Sequence, residues 1–433
     1  MNNDTNNGAS RPGWLNRSVV GFGLTSLLSD FCHEMATAVL PQFMQAIGAS
    51  AAALGFIEGS SDALSSFIKL WAGYHSDKIG HRKGWSVIGY ALTAVSMAVI
   101  AFALAWPLIL LGRAIGWLGR GIRGPLRDAM LAEAVAPEDR GKAFGFHRAG
   151  DTAGAVIGPL AAFALLTWLS AHPALVRAIT AALPGLAGAP GGAFRIIFLL
   201  TLIPGVLSVL SMVFLITEKR RPLNHELRFT AALRSMPADY RKFLLAVLVF
   251  GCADFAPTLM ILRASTLLAP AMGALEAARY AALLYLLRNV VYALASYPIG
   301  ALSGRFSRHH YLAAGYAVAV LCFAGFAAPV ASLWWLAGCF TLSGIFIAWE
   351  DTMEGVAVRD YVDESVAGTA YGVLGTANGV GDFASSLIVG GLWTAFGAGW
   401  GFAYAITAGA AGAILMARLK GAPSPEKSRG PGL

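Results

Sequence analysis

Gly73-Tyr-His-Ser-Asp-Lys-Ile-Gly-His-Arg-Lys83 is a polar, basic stretch between two long apolar segments, and Gly300-Ala-Leu-Ser-Gly-Arg305 stands in the same setting 227 residues later. The same displacement superimposes Gly141-Lys-Ala-Phe-Gly145 on Gly368-Thr-Ala-Tyr-Gly372, and Gly154 on Gly381. One shift serving several separated motifs marks an internal duplication. The fold then depends on how many segments each copy contains.

Composition says what those segments are. Hydrophobic residues make up 57% of the chain and charged residues 13%, with a mean hydropathy of +0.62. A soluble domain is nearer ~25% charged, so this is an integral membrane protein. A helix crosses a bilayer with ~20 apolar residues. Twelve stretches qualify: 17–45, 51–75, 84–104, 107–130, 142–168, 195–217, 241–268, 274–302, 310–330, 332–356, 367–394 and 397–418, here called spans 1 to 12. Fifty glycines suit close helix packing in lipid. Six crossings return the chain to its starting side, so both copies run in one direction, the parallel-repeat layout of some secondary transporters. The expected fold is all-α, with two pseudo-symmetric six-helix bundles. Residues 1–16 form a tail, 17–217 the first bundle, 218–240 a basic linker, 241–418 the second bundle and 419–433 another tail. Both tails read as disordered. The outer loop His172–Ala193, rich in Pro, Gly and Ala, reads as irregular.

Charge refines this. Spans 3, 6, 9 and 12 contain the uncharged stretches Gly84–Leu104, Ile196–Thr217, Tyr311–Leu333 and Gly397–Ala417, while the other eight carry ionisable groups. A charge in hydrocarbon costs several kcal/mol and normally faces a bundle interior or a wet cavity. Four three-helix units therefore each give two helices to a central chamber and one to the rim. Most of the 32 Lys and Arg fall on the side of the termini, among them Arg11, Arg17, Lys78, Arg82, Lys83, Lys219, Arg220, Arg221, Arg305 and Arg308. The positive-inside rule makes that side cytoplasmic, with both termini there and the protein in the inner (plasma) membrane. The net charge of +8 is thus a topology signal rather than a nucleic-acid footprint. The first thirteen residues carry no apolar run with a cleavage site, so span 1 is expected to be retained. Cys32, Cys252, Cys322 and Cys339 lie within spans and read as buried thiols.

Gly73-Tyr-His-Ser-Asp77-Lys78-Ile-Gly80-His81-Arg82-Lys83 also resembles the loop 2–3 signature of the major facilitator superfamily at its glycine, acidic and basic positions. It departs at His75 and His81. The resemblance covers the membrane region through span count and repeat. It implies that Gly73, Asp77, Gly80 and Arg82 form a conformational gate, with Asp77 docking at the start of span 11 near Val366–Thr369. A helix N-terminus attracts negative charge. Gly304 replaces the acid in the second copy, so the gate should be asymmetric. Gly154-Ala-Val-Ile-Gly158-Pro159 in span 5 resembles the core of the motif associated with antiporters of that superfamily, with Ala162 and Phe163 in place of its following glycine pair. Small residues permit close helix approach and proline bends a helix, so packing alone could also explain it.

A rise of about 1.5 Å per residue puts Asp30, Asp62, Arg120, Asp151, Asp254, Arg288 and Asp382 near the bilayer centre. Asp30 with Glu34, and Glu58 with Asp62, are i, i+4 pairs sharing a helix face. Span 4 carries Arg113, Arg120, Arg123 and Arg127 as a basic stripe. Close carboxylates in low dielectric can load and release a proton near neutral pH, and arginine serves as a fixed counter-ion. Asp30, Glu34, Glu58, Asp62, Arg113, Arg120, Asp151, Asp254, Arg288 and Asp382 are the translocation candidates, with pairing that merely holds the bundle as the alternative for each. Across the repeat Arg123 matches Glu350 and Arg127 matches Glu354, a reversal of sign that could form bridges when the cytoplasmic side closes; solvation at helix ends is the plainer reading. His147 and Asp151 lack a third metal ligand, and no phosphate-binding loop or nucleophile motif occurs. Neither a cofactor nor enzymatic activity is expected. The reading is a monomeric secondary transporter that exchanges protons for an exported small molecule. A proton symporter importing a nutrient or metal chelate, and more remotely a non-transporting receptor or scaffold, are the alternatives.

Overall fold

A computed structural model describes residues 14–79, 81–136, 139–218, 236–362 and 367–419. Most of both tails, most of the linker, Gly80 and the proposed docking of Asp77 against Val366–Thr369 lie outside the described residues or side chains. Span 1 is the helix Arg17–Thr37 continued by Leu40–Ala46. Asn16 starts it by accepting the Ser18 and Val19 N–H groups, and its own amide donates to the Ala134 carbonyl at 2.8 Å. Spans 2 to 5 are Ala51–Ile79, Lys83–Ala101, Trp106–Glu133 and Arg140–Ala171, and span 6 is Gly192–Leu200 continued by Leu202–Leu215. Span 7 consists of Ala238–Gly251 and Pro257–Met272. Spans 8 to 12 are Ala274–Leu302, Arg308–Ala327, Leu333–Tyr361, Ala367–Phe396 and Ala398–Ala417.

Two features depart from the sequence reading. The loop His172–Ala193 is not wholly irregular, because Pro173–Ala182 is helical. Pro173 supplies the fixed φ favoured in a first turn, and an alanine-rich run follows. Turns then take over at Gly185, Gly188 and Gly191, all at positive φ. Arg195, fully buried, ties that loop down by donating to the carbonyls of Pro190 (2.9 Å) and Ala101 (2.8 Å). The second departure is the break in span 7 ahead of Pro257, which lacks an N–H and disfavours helix in the residue before it. Span 11 satisfies the broken backbone: Ser386 Oγ accepts the Ala256 N–H at 3.0 Å, and Ser385 Oγ donates to the Asp254 carbonyl at 2.6 Å.

Within the first half span 1 packs on 5 and 6, span 3 on 4 and 6, and span 2 on 4. Adding six to each number gives the packing of the second half: 7 on 11 and 12, 9 on 10 and 12, and 8 on 10. The principal contacts between halves, 2 with 11 and 5 with 8, exchange under the same operation, so the halves are related by a pseudo-twofold axis. Spans 3, 6, 9 and 12 make their principal contacts within their own half. They turn large apolar side chains outward, such as Ile88, Ile203, Phe214, Leu321 and Ile414.

Spans 2 and 11 touch backbone to backbone. A Cβ at Gly59 would lie 2.9 Å from Phe383 Cα, one at Gly390 would lie 2.6 Å from the Ala51 carbonyl oxygen, and one at Gly55 would strike the Ser386 carbonyl. Gly55→Ala should therefore force the two helices apart and cost about 1–3 kcal/mol, read as a lower thermal midpoint in detergent. Gly375→Ala on span 11, where a Cβ meets nothing within 4 Å, should leave the midpoint unchanged.

Candidate functional site: a charged chamber between two bundles

The ionisable side chains sort into two sets. In the first half, Arg120 on span 4 holds Asp30 on span 1 at 2.7 Å, with Arg123 at 3.9 Å. Asp151 on span 5 is within Coulombic range of Asp30. It accepts from Ser26 Oγ at 2.5 Å and has Arg148 at 3.7 Å. Span 5 can approach so closely because Gly150, Gly154 and Gly158 lie against span 1; a Cβ at Gly158 would stand 2.8 Å from Glu34 Cβ. In the second half, Asp254 at the break of span 7 is within Coulombic range of Glu350 on span 10. Asp351, Glu354 and Asp382 lie within Coulombic range of Glu350. Two carboxyl groups close together in low dielectric favour holding one proton between them. Each half thus carries one candidate proton-sharing pair beside at least one arginine, Arg120 in the first and Arg288 in the second.

The two sets meet. Tyr285 on span 8 donates to Glu34 on span 1 at 2.8 Å. Asp62 and Lys69 on span 2 lie within Coulombic range of Asp382 on span 11. Arg288 donates to Ser343 on span 10 and to Asn289, both at 3.1 Å. Asp30, Glu34, Asp62, Arg120, Asp151, Asp254, Arg288 and Asp382 therefore line one inter-half region. Arg113 and Glu58 lie beside this set, within Coulombic range of Asp62. Their ion pair joins spans 2 and 4 with exposures of only 2% and 3%.

The gate candidates are engaged within their own halves. Arg123 lies over the Tyr90 ring at 4.2 Å, and Arg127 pairs with Asp128 at 2.9 Å. Glu354 accepts from Tyr316 at 2.5 Å and from Asn378 at 2.7 Å. Arg82 pairs with Glu133 at the end of span 4, and its backbone N–H donates to Glu218. Glu218 also accepts the Lys83 N–H at 3.1 Å, while Lys83 Nζ reaches the carbonyls of Val213 (2.8 Å) and Ile216 (2.7 Å). At the opposite end, remote from the termini, the halves are joined. Gln45 donates to Thr266 at 3.2 Å, the Ala52 N–H to Thr394 at 2.9 Å, and Arg279 to Thr167 at 2.8 Å. These bonds hold the halves together at that distal end.

Neutral polar residues do much of the connecting: Ser26, Tyr285, Asn289, Tyr316 and Asn378. Ser26, Tyr285, Asn289 and Asn378 sit on charged spans within one turn of an ionisable residue, whereas Tyr316 lies on the uncharged span 9 and had no such signal.

Two stretches, residues 22–273 and 264–433, match the model of the Major Facilitator Superfamily. The chain belongs to the major facilitator superfamily. An uncharacterized MFS-type transporter of Methanocaldococcus jannaschii is 29% identical over 379 residues, covering 88% of this chain and 89% of that one. The multidrug resistance protein MdtH of Photorhabdus laumondii is 30% identical over 118 residues, 27% of this chain and 29% of that one. The crystal structure of the nucleoside transporter NupG aligns with a TM-score of 0.71 over 93% of this chain and 98% of that chain, at 14% identity, and so attests the fold. The protein is a multi-pass membrane transporter of this superfamily, with a small molecule as the class of substrate.

Proposed function

We propose that the protein exports a small molecule in exchange for protons across the cytoplasmic membrane, as a monomer with both termini cytoplasmic. The bundles 17–217 and 241–418 would rock about the linker 218–240. What supports this reading is the gathering of carboxyl groups and arginine between the halves: Asp30 on Arg120, Asp151 on Ser26, Glu34 on Tyr285 of the other half, and Asp254 beside Glu350. A proton held between two carboxylates is a stored coupling ion, and the neighbouring Arg120 and Arg288 compete with it as fixed counter-ions. The likeness to MdtH, a multidrug resistance protein by name, supports the outward direction. In everted vesicles with an imposed pH gradient, addition of a transported compound should dissipate the gradient, read with a pH-sensitive dye across a panel of toxic cations, anions and zwitterions. Gradient-driven movement of a compound out of such vesicles, in the opposite direction, would instead identify a symporter for import.

The gate follows from the repeat. With the halves joined at the distal end, Arg123, Arg127, Glu350 and Glu354 lie beside partners in their own halves. When the terminal side closes, Arg123 would meet Glu350, and Arg127 would meet Glu354. Asp77, with Gly73, Gly80 and Arg82 shaping its loop, would dock on span 11. Arg127→Glu and Glu354→Arg should each slow transport about tenfold, a cost comparable to one charge-assisted hydrogen bond. The double swap should recover most of the rate in the same vesicle assay; two additive losses would argue against direct pairing.

A further inference from the structure

Span 5 is one continuous helix, Arg140–Ala171, with Pro159 inside it. In such a helix the Ala155 carbonyl should accept from the N–H of residue 159, and proline has none. That carbonyl is nevertheless satisfied: Asn289 Nδ2, on span 8 of the other half, donates to it at 2.9 Å. Asn289 is buried, at 4% exposure. Its orientation follows from its other neighbour. Arg288 Nη1 lies 3.1 Å from Asn289 Oδ1, and a guanidinium can only donate, so the amide oxygen faces Arg288 and the NH2 faces Ala155. Ser343 on span 10 holds Arg288 in turn.

We propose that Pro159 and Asn289 form an inter-bundle latch, in which the proline frees a backbone acceptor on one half and the asparagine captures it from the other. The flanking glycines serve a different partner, since Gly154 and Gly158 seat span 5 on span 1 within its own half. Asn289 is thus a positioning residue that favours the distal-closed arrangement, and rocking breaks its bond to Ala155. The latch rests on membership of a rocking-bundle transporter family. It requires neither proton coupling nor a direction of transport.

The test reads distal closure in purified protein, without substrate or gradient. Gln45→Cys with Thr266→Cys places thiols where those side chains already hydrogen-bond across the halves, in a Cys252→Ser background that removes a half-buried native thiol. Against this parent, Asn289→Ala and the isosteric Asn289→Asp should each lower the rate of cross-linking by a short bifunctional reagent about three- to tenfold. Pro159→Ala gives Ala155 an intrahelical donor and should produce the same loss. Pro159→Ala combined with Asn289→Ala should lose no more than either alone. Parental cross-linking in both Asn289 variants, or losses that multiply in the double variant, would overturn the latch. A monodisperse size-exclusion profile excludes misfolding as the cause of a slower reaction. Failure here would leave the coupling reading intact, because protons take no part in the assay.

Discussion

Asp254→Asn is expected to abolish uphill transport, lowering gradient-driven flux about a hundredfold or more toward leak, while leaving the protein folded and able to exchange substrate down a concentration gradient. The reason lies in what the amide keeps and what it loses. An asparagine at 254 keeps the size and polarity of the side chain beside Glu350, but the amide cannot deliver a proton. The break in span 7 is also preserved, since Ser385 and Ser386 bind its backbone rather than the Asp254 side chain. Glu350→Gln should do the same from the other side of the pair. In both variants exchange flux should lose its dependence on pH, whereas the parent should retain it. Vesicle flux measured with and without an imposed pH gradient separates the two effects. Full gradient-driven flux in Asp254→Asn would strike this pair from the coupling path and leave Asp30 with Asp151 to carry it.

The architecture was legible in the sequence because its signals are large. A charge in hydrocarbon costs several kcal/mol, so eight charged and four uncharged spans constrain which helices face the chamber. The displacement from Gly73 to Gly300 carries the same information as the pseudo-twofold packing. Smaller free energies were harder to read. The break before Pro257 hides in a hydropathy profile that scores proline by polarity, not by the hydrogen bond it removes. The helix Pro173–Ala182 was masked by the glycines that follow it. Ser26, Tyr285, Asn289 and Tyr316 carry no charge, so neither hydropathy nor the positive-inside rule picks them out, although they connect the ionised groups. Helical spacing put Glu58 on the face of Asp62, but it carries no information on burial, and the Arg113–Glu58 ion pair is exposed by only 2% and 3%.

That burial has the second large consequence. Arg113 and Glu58 are almost sealed from solvent, and the guanidinium also lies 5.6 Å from the Trp117 ring centre, which Arg120 approaches at 5.3 Å and His33 meets edge-on at 5.5 Å. Removing one member of a buried pair leaves the other charge without compensation, a loss of about 3–5 kcal/mol, whereas replacing both by apolar groups of similar volume is often neutral. Arg113→Leu should therefore lower the thermal midpoint in detergent by several degrees and reduce the yield of folded protein. Glu58→Leu should do the same, and the double variant should recover most of the stability. If the pair only holds spans 2 and 4 together, the double variant should also transport at close to the parental rate. A double variant that is stable yet inactive would place Arg113 and Glu58 on the translocation path, and would mean that this buried contact opens during the cycle.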